Sequence, residues 1–452
     1  MGCNRDWKNC RWGDERPLVA LYKGGLKLWP LTAFITLGSS SLTSVRYTAG
    51  DAPAELYFSY DRNTWTPMAA GTDYSFGGSR GDIYINGNNP SGLHRSRLNI
   101  PEGAGASVRG DITALLRKEG NVKALTAGGE FEGLFADCLG LADASGLIMT
   151  PETLSDSCYK TMFLRAAKLT KAPSLPAMTM ASECYQGLFQ DCKALTAPPA
   201  LPAMTLAQGC YREMFTASGL TQCPALPATT LADWCYDKMF EFCFELTETC
   251  EFPATEAAFG CYYQMFFMGE QGSSWKTTGS KLKKAHKINL TSLAPCCCGF
   301  MFQLCSALSD VPEDMLPDVG TLPAGCYNAM FYNTAITATP VIHGNIVEAG
   351  AEWFQGPCYQ MFRLCKYLTK VTDIRFNTVA TTSTAANIPM RYMFRNCSSL
   401  RDITFSGNAV ASLAYNSADS WLMSIASTGT FRHTPALASV YGLPTGWTRT
   451  TI

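Results

Sequence analysis

The chain of 452 residues carries a formal net charge of −1; 47% of its residues are hydrophobic and 16% are charged. This composition supplies ample apolar surface for a folded core, and it argues against a protein that binds nucleic acid through a strong positive field. Pro, Gly or a charged residue interrupts every apolar run well before about 18 residues, so we expect no membrane insertion.

Residues 1–16 form a charged N-terminal arm. The arm lacks the apolar segment of a secretory signal. Its Met-Gly start is only a weak myristoylation motif, because Asp6 stands where that motif has Ser or Thr. Trp7 and Trp12 leave two interpretations open: the arm docks to a partner, or it is a loosely packed terminus.

The next segment, residues 17–105, predicts a small antiparallel β-sandwich. The stretches "SVRYTAG", "AELYFSY" and "GDIYIN" show the alternation of half-buried strands, and "DRNTW" and "NGNNPSG" supply turns. After it, "VRGDITALLRKE" predicts a short amphipathic helix within residues 106–128. We expect this helix to cap the region that follows.

Residues 129–405 repeat one phrase. A phenylalanine recurs at intervals of 25 to 36 residues, which is typical of architectures in which each unit packs on its neighbours. The ten positions are Phe135, Phe163, Phe189, Phe215, Phe240, Phe266, Phe302, Phe331, Phe362 and Phe394.

Around each Phe the pattern is close to C-Y-x-x-M-F-x-x-C-x-x-L-T. In a helix of two to three turns, the Cys, Met and Phe positions would face one core. The prolines that follow, as in "KAPSLP", permit only a short extended piece. Cysteines stand five residues before the Phe at Cys158, Cys184, Cys210, Cys235, Cys261, Cys297 and Cys326, and three after it at Cys138, Cys192, Cys243, Cys305, Cys365 and Cys397.

The phrase "LPATTLADWCYDKMFEFCFELT" resembles the BspA-like leucine-rich repeats of gut bacteria and their phages. The resemblance covers about residues 129–405. The stretch "STGTFRHTPALASVYGLPTGWTRT" resembles the segment that closes such arrays, so we expect residues 406–452 to form a C-terminal cap. The stretch "SYDRNTWTPM" resembles a phrase of the β-domains that precede them. The resemblance implies an α+β fold: a leucine-rich-repeat solenoid with short helices and a parallel β face, preceded by the small antiparallel β-sandwich.

Three copies depart from the family pattern. They read "CCGFMF" at 297–302, "CYQMF" at 358–362 and "PMRYMF" at 389–394. These departures make the later array less regular and put its strand register in doubt.

The cysteine spacing argues for packing over chemistry. The spacings between ladder cysteines are dominated by C-x7-C, as in Cys184/Cys192 and Cys235/Cys243, whereas structural zinc needs closer pairs. Only "PCCCGF" gathers several thiols, and three adjacent side chains cannot all point one way. We expect buried, reduced thiols, with disulfides as a weaker alternative, and neither a metal site nor a cofactor.

Catalytic motifs are missing. The sequence has no nucleophile elbow, no H-E-x-x-H and no phosphate loop. A polysaccharide-degrading enzyme would need paired carboxylates, and the acidic cluster available within the array is Glu313/Asp314 or Asp310/Asp318. We therefore predict a protein that is not an enzyme.

The 36-residue interval after Phe266 suggests a binding loop, because insertions in repeat stacks leave the stack as loops, often on the binding face. Its Trp and Lys side chains could stack on a sugar ring or engage acidic groups, although a solvated excursion explains them as well. A second candidate surface is the extended face, where a row of Thr carries scattered charges. The candidate binding residues are Trp275, Lys276, Lys281, Lys283 and Lys284 in the insertion, and Lys171, Lys370 and Arg401 on the extended face.

These observations predict a recognition or structural protein. Without a visible export signal, the first hypothesis is a phage or prophage tail or appendage protein, assembled in the host cytoplasm and located in the virion. Its N-terminal region would bind other virion proteins, and its array would bind a bacterial surface glycan or protein. A homo-oligomer is possible, although no coiled-coil heptad supports it. The alternative is an exported bacterial cell-surface adhesin of the same repeat family.

Overall fold

The computed structural model describes residues 33–39, 41, 43–75, 81–269, 279–346, 355–379, 388–407, 412–413 and 418–452. The predicted arm 1–16, the first half of the predicted insertion with Trp275 and Lys276, and residues 17–32 lie outside this part of the chain. Within it, the named elements are sixteen strands and one short 3-10 helix. No helix among the described residues is long and apolar enough to cross a membrane.

Two sheets form the N-terminal region. Their hydrophobic side chains belong to one core, with Leu37 from one sheet and Val45 and Tyr47 from the other. The first sheet has the order β4-β3-β6-β1-β8-β9, and the second has the order β5-β2-β7. The strands are β1 (Ile35–Gly38), β2 (Ser44–Thr48), β3 (Leu56–Ser59), β4 (Thr66–Pro67), β5 (Asp73–Ser75), β6 (Asp82–Gly87), β7 (Arg97–Asn99), β8 (Ala106–Asp111) and β9 (Leu141–Ile148).

The amphipathic helix predicted within residues 106–128 is wrong. Its first four residues, "VRGD", belong to strand β8, and only Ile112–Leu115 are helical, as a single 3-10 turn. Asp111 begins this turn by accepting hydrogen bonds from the backbone N–H and the hydroxyl of Thr113, at 2.9 and 2.8 Å. Strand β8 pairs antiparallel with β1 and parallel with β9. It therefore joins the N-terminal sheet directly to the first unit of the repeats.

We call each repeat unit a coil, and the segment around its repeated Phe the turn stretch. In the turn stretch, every second residue donates its backbone N–H to the next coil, as Thr161 does to the carbonyl of Gln186 at 2.8 Å. The residues between them donate three residues back, as Met162 does to Tyr159 at 3.2 Å. An α-helix needs bonds to the carbonyl four residues back. The predicted short helices, and with them the α+β class, are therefore wrong.

The backbone of the turn stretch repeats every four residues. Every fourth residue is left-handed, with φ of 55° at Ser157, 51° at Thr161 and 57° at Arg165. Such residues cost roughly 1–2 kcal/mol each, and the coil-to-coil hydrogen bonds offset that cost. Of each four side chains, two point into the core and two point outward. The inward pairs of this coil are Cys158–Tyr159 and Met162–Phe163.

The ten repeated phenylalanines form one column of stacked rings inside the coils. Neighbouring rings have centroids 5.3 to 5.8 Å apart and interplanar angles of 2 to 24°. A second column runs from Phe131 through the tyrosines of the C-Y phrase to Tyr262, with spacings of 5.4 to 6.0 Å. All ten phenylalanines are fully buried, as are Cys158, Cys184, Cys210, Cys235 and Cys261.

The opposite side of the coils pairs in parallel, as expected, but mostly through isolated bridges such as Thr205↔Thr230. The prolines explain this, since they cannot donate to a ladder. A regular parallel sheet, β10-β11-β12-β14-β16, forms only towards the C-terminus, and β13 pairs with β15. The expectation of an antiparallel sheet before parallel pairing is thus confirmed. These strands are β10 (Ile342–His343), β11 (Lys370–Arg375), β12 (Asp402–Phe405), β13 (Ser412–Leu413), β14 (Thr428–His433), β15 (Ser439–Val440) and β16 (Gly446–Thr451).

The three irregular copies do not interrupt the stack. Phe302, Phe362 and Phe394 all remain in the ring column. The pairing β11–β12 contains one register shift, between Val371 and Ile374. The segment predicted as a C-terminal cap contributes β14 and β16, which extend the parallel sheet.

Candidate functional site

A groove of about 770 Å³ crosses the outer surface of the turn stretches, which we call the turn wall. This volume is within the usual range for sites that hold small ligands. Carboxylates, lysines and two phenylalanines line it together. The lining residues are Gln190, Asp191, Lys193, Glu213, Thr216, Ala217, Ser218, Gly219, Lys238, Glu241, Phe242, Phe244, Glu245 and Gly269.

The groove forms because one coil carries small side chains between two coils with larger ones. Its floor is the sequence "TASG" at 216–219, whereas the same positions read "QDCK" at 190–193 and "EFCF" at 241–244. A Cβ on Gly219 would lie 2.2 Å from the carbonyl oxygen of Lys193. The floor is therefore a close approach of two backbones that only glycine permits.

Buried carboxyl groups lie in and below the groove. Burial raises the pKa of Glu241 to about 7, against the opposing effect of Lys238. Burial likewise raises the pKa of Asp237, four residues earlier, to about 7 although Arg212 lies beside it. The nearby Glu213 adds to both shifts. Near neutral pH these two groups therefore exist as a mixture of acid and carboxylate, able to donate as well as accept a hydrogen bond.

Two aromatic rings stand at one edge of the groove. The rings of Phe242 and Phe244 are 6.2 Å apart and inclined by 32°, and both side chains are half-buried. Apolar ring faces beside carboxyl and ammonium groups suit a ligand that is apolar on one face and hydroxylated at its edge. A sugar ring has this character.

The groove also adjoins the two described ends of the predicted insertion. Gly269, the last described residue before 270–278, lines the groove. Beyond the gap, Lys281 Nζ lies 2.6 Å from Oε2 of Glu245, another lining residue. Of the candidate residues taken from the insertion, Lys281 is thus the one that the described structure places at the groove.

The other predicted lysines belong to the extended face. Lys171 Nζ lies 3.1 Å from Asp143 Oδ2, and Lys284 Nζ lies 3.4 Å from Glu248 Oε2. Each pair joins neighbouring coils, and such exposed pairs are worth little energy. Lys283, Lys370 and Arg401 are exposed and make no ion pair with a described residue.

Three threonines of the extended face donate their hydroxyls to carbonyls within the protein. Thr170 Oγ1 donates to the carbonyl of Ala142 in the preceding coil at 2.9 Å. Thr221 and Thr369 make the equivalent bonds to Thr196 and Thr337, at 3.2 and 3.0 Å. Among the described residues, carboxyl, ammonium and aromatic groups converge in one groove on the turn wall.

The cysteine three residues after the Phe has a specific hydrogen-bonding partner. The thiols of Cys192 and Cys243 donate to the carbonyls of Phe163 and Phe215 in the preceding coil, at 3.1 and 3.0 Å. Cys305, Cys365 and Cys397 repeat this contact at 3.0 Å. The eighteen described cysteines are free thiols.

The acidic cluster considered for catalysis is solvent-exposed. The side chain of Asp314 is 71% exposed and pairs with Lys287 at 2.7 Å, which lowers its pKa. The side chain of Asp318 is 82% exposed, with one oxygen 3.4 Å from Nδ1 of His343. A general acid needs a raised pKa, and Asp314 has the opposite shift. Across the described ranges, no three His, Cys, Asp or Glu side chains converge as metal ligands would.

Sequence reasoning missed the groove. The feature of the sequence that indicates the groove is the run of four small residues, "TASG", between two copies with larger side chains at the same positions. Comparison with protein-family models finds no match for this chain, and no curated protein matches it.

Proposed function

We propose that this chain is a non-enzymatic recognition protein, a leucine-rich-repeat solenoid that binds a saccharide on a bacterial surface through its turn wall. The observation that carries the proposal is the groove. Carboxyl groups able to donate and accept hydrogen bonds lie there beside Phe242 and Phe244, next to both described ends of an insertion in the array.

The coil-on-coil hydrogen bonds and the continuous ring column support the solenoid. They give the turn wall a rigid backbone, so a ligand would meet preorganised side chains. The setting that best fits the sequence is a phage or prophage tail or appendage, with the virion as location and other virion proteins bound to the N-terminal region. An exported bacterial surface adhesin is the alternative.

Attachment of the purified chain to host cells tests this function. Phe244→Ala removes a ring from the groove edge, and we expect it to weaken attachment about tenfold. The matched control is Tyr367→Ala, which removes a ring that is 66% exposed on another coil and should leave attachment unchanged. Failure of the wild-type chain to attach, together with its absence from virions and from cell surfaces, would refute the proposal.

A second candidate function, glycoside hydrolysis, is favoured by one observation. The raised pKa of Glu241 is what a general acid requires, and Glu213 lies close to it in the same groove. Release of reducing sugars from host wall polysaccharide, lost in Glu241→Gln, would establish this activity. Binding without any release would leave recognition as the function.

A further inference from the structure

Three arginines surround one tyrosine ring on the turn wall of the last coils. The guanidinium carbons of Arg391, Arg395 and Arg363 lie 4.6, 4.7 and 5.8 Å from the ring centroid of Tyr392. Arg363 also lies 5.7 Å from the ring centroid of Tyr332. These side chains are partly exposed, except for Tyr332, which is buried.

The cluster has little negative charge to balance it. Asp419 is the one carboxylate in the turn stretches 328–334, 355–365, 388–397 and 418–424. It lies 3.0 Å from Nε of Arg391. Arg363 and Arg395 make no ion pair with a described residue, and the Nε of each is buried without a hydrogen-bond partner.

For stability alone, this arrangement is unfavourable. Like charges repel at short range, and a buried donor without a partner loses its hydration and receives no bond in return. An anion on the cluster would offset the repulsion between the guanidinium groups, whose side chains are partly exposed. Guanidinium groups present planar pairs of donors that match the oxygens of carboxylate, sulfate and phosphate. The tyrosine rings hold the guanidinium planes in place through cation–π contacts.

We propose that Arg363, Arg391 and Arg395 form a subsite for an anionic group of the bound saccharide. The ligand is an acidic glycan, whose carboxylate, sulfate or phosphate binds the arginines while neutral sugar units contact the aromatic residues of the same wall. The inference rests on the proposed function, because it places the charged part of the same ligand.

The test is equilibrium binding of the full chain to four oligosaccharide probes of similar length: oligogalacturonate, sulfated dextran, phosphorylated dextran and neutral dextran. We expect at least one anionic probe to bind at least tenfold more tightly than the neutral one, with an affinity that falls as salt rises. The double variant Arg363→Gln/Arg395→Gln should lose at least tenfold in that affinity. The three anionic probes identify which group the cluster accepts.

The matched control is Lys370→Gln/Arg401→Gln, which removes two positive charges from the extended face. It should change the affinity by less than twofold. Equal losses in both double variants, no loss in either, or tighter binding of polyglutamate than of every glycan would overturn the proposal. Thermal melting shows that the variants are folded.

Attachment to host cells separates this inference from the proposed function. If the wild-type chain attaches and the arginine variant attaches equally well, the subsite is wrong and the proposed function stands. If anion binding depends on the arginines but the wild-type chain does not attach, the subsite stands and the proposed function fails.

Discussion

Arg212 Nε lies 3.0 Å from Asp237 Oδ2, yet the pKa of Asp237 is raised to about 7. Burial disfavours the carboxylate more than the guanidinium favours it, because the side chain of Asp237 is only 3% exposed. One of its oxygens is buried without a hydrogen-bond partner. The pair under the groove is thus unfavourable in its fully charged form.

This pKa shift predicts that stability falls as pH rises. The pKa of Asp237 is about 7 in the folded chain, against the ordinary 3.8 expected in the unfolded chain. The contribution of this shift to the free energy of unfolding is therefore complete below the unfolded pKa. The contribution is lost as pH rises from about 4 through about 7. We expect urea unfolding to show that the stability of the wild type relative to Asp237→Asn decreases over this range, on the order of 4 kcal/mol. A difference that stays constant from pH 4 to pH 8 would contradict the shift.

The ring column predicts a large cost for removing one ring. Phe215 is fully buried, with centroid distances of 5.7 and 5.8 Å to Phe189 and Phe240. Phe215→Ala should lower the free energy of unfolding by about 3–5 kcal/mol, as for other buried phenylalanines. The comparison is Phe244→Ala at the half-buried groove edge, which should cost well under half as much. If denaturant melts show similar losses in the free energy of unfolding for the two variants, the ring column does not stabilise the fold more than a half-buried ring does.

The second ladder cysteine predicts a preference for small hydrogen-bond donors. Cys243 donates to the carbonyl of Phe215, and the equivalent residue one coil earlier is Ser218. We expect Cys243→Ser to be more stable than Cys243→Val, since a hydroxyl keeps the bond, by about 0.5–1.5 kcal/mol. The reverse order in chemical denaturation would mean that apolar packing decides this position.

The same cysteine should be chemically inert in the folded chain. Burial raises the pKa of the Cys243 thiol to about 12, so almost no thiolate exists at pH 8. Labelling with a thiol reagent should therefore occur at the rate of unfolding. Fast labelling of native protein at this residue, located by mass spectrometry, would contradict the burial.

The sequence predicted which side chains lie inside far better than it predicted the backbone that places them there. Cys158, Met162 and Phe163 are all buried, although no α-helix contains them. Spacings of four and five residues share one face in a helix of 3.6 residues per turn and equally in a spiral of turns that repeats every four. A periodicity this short, seen over three turns, cannot separate the two.

The groove and the arginine cluster were harder to predict for a different reason. Both arise from differences between copies, whereas the repeat is recognised by what the copies share. The role of Gly219 or of Arg395 depends on which residues of the neighbouring coils lie beside it, and the sequence alone does not show that register. The candidate lysines were chosen by their charge, and three-dimensional pairing then placed Lys171 and Lys284 beside acidic neighbours.

The left-handed residues of the turn stretch give a direct test of its backbone. Thr161 and Gln264 have φ of 51° and 50°. Glycine adopts this conformation freely, whereas a residue with a Cβ costs roughly 1 kcal/mol or more. At each position we therefore expect the glycine variant to be more stable than the alanine variant by about 1 kcal/mol.

An α-helical turn stretch would give the opposite order, because alanine exceeds glycine by about 1 kcal/mol in helix interiors. The comparison of two variants at one site cancels the loss of the native side chain. Thr161 and Gln264 lie in different coils but at the same step of the four-residue pattern. Measuring both sites therefore separates the effect of the backbone conformation from contacts that are particular to one coil. Alanine more stable than glycine at both positions would show that the coils are helical and that the spiral of turns is wrong.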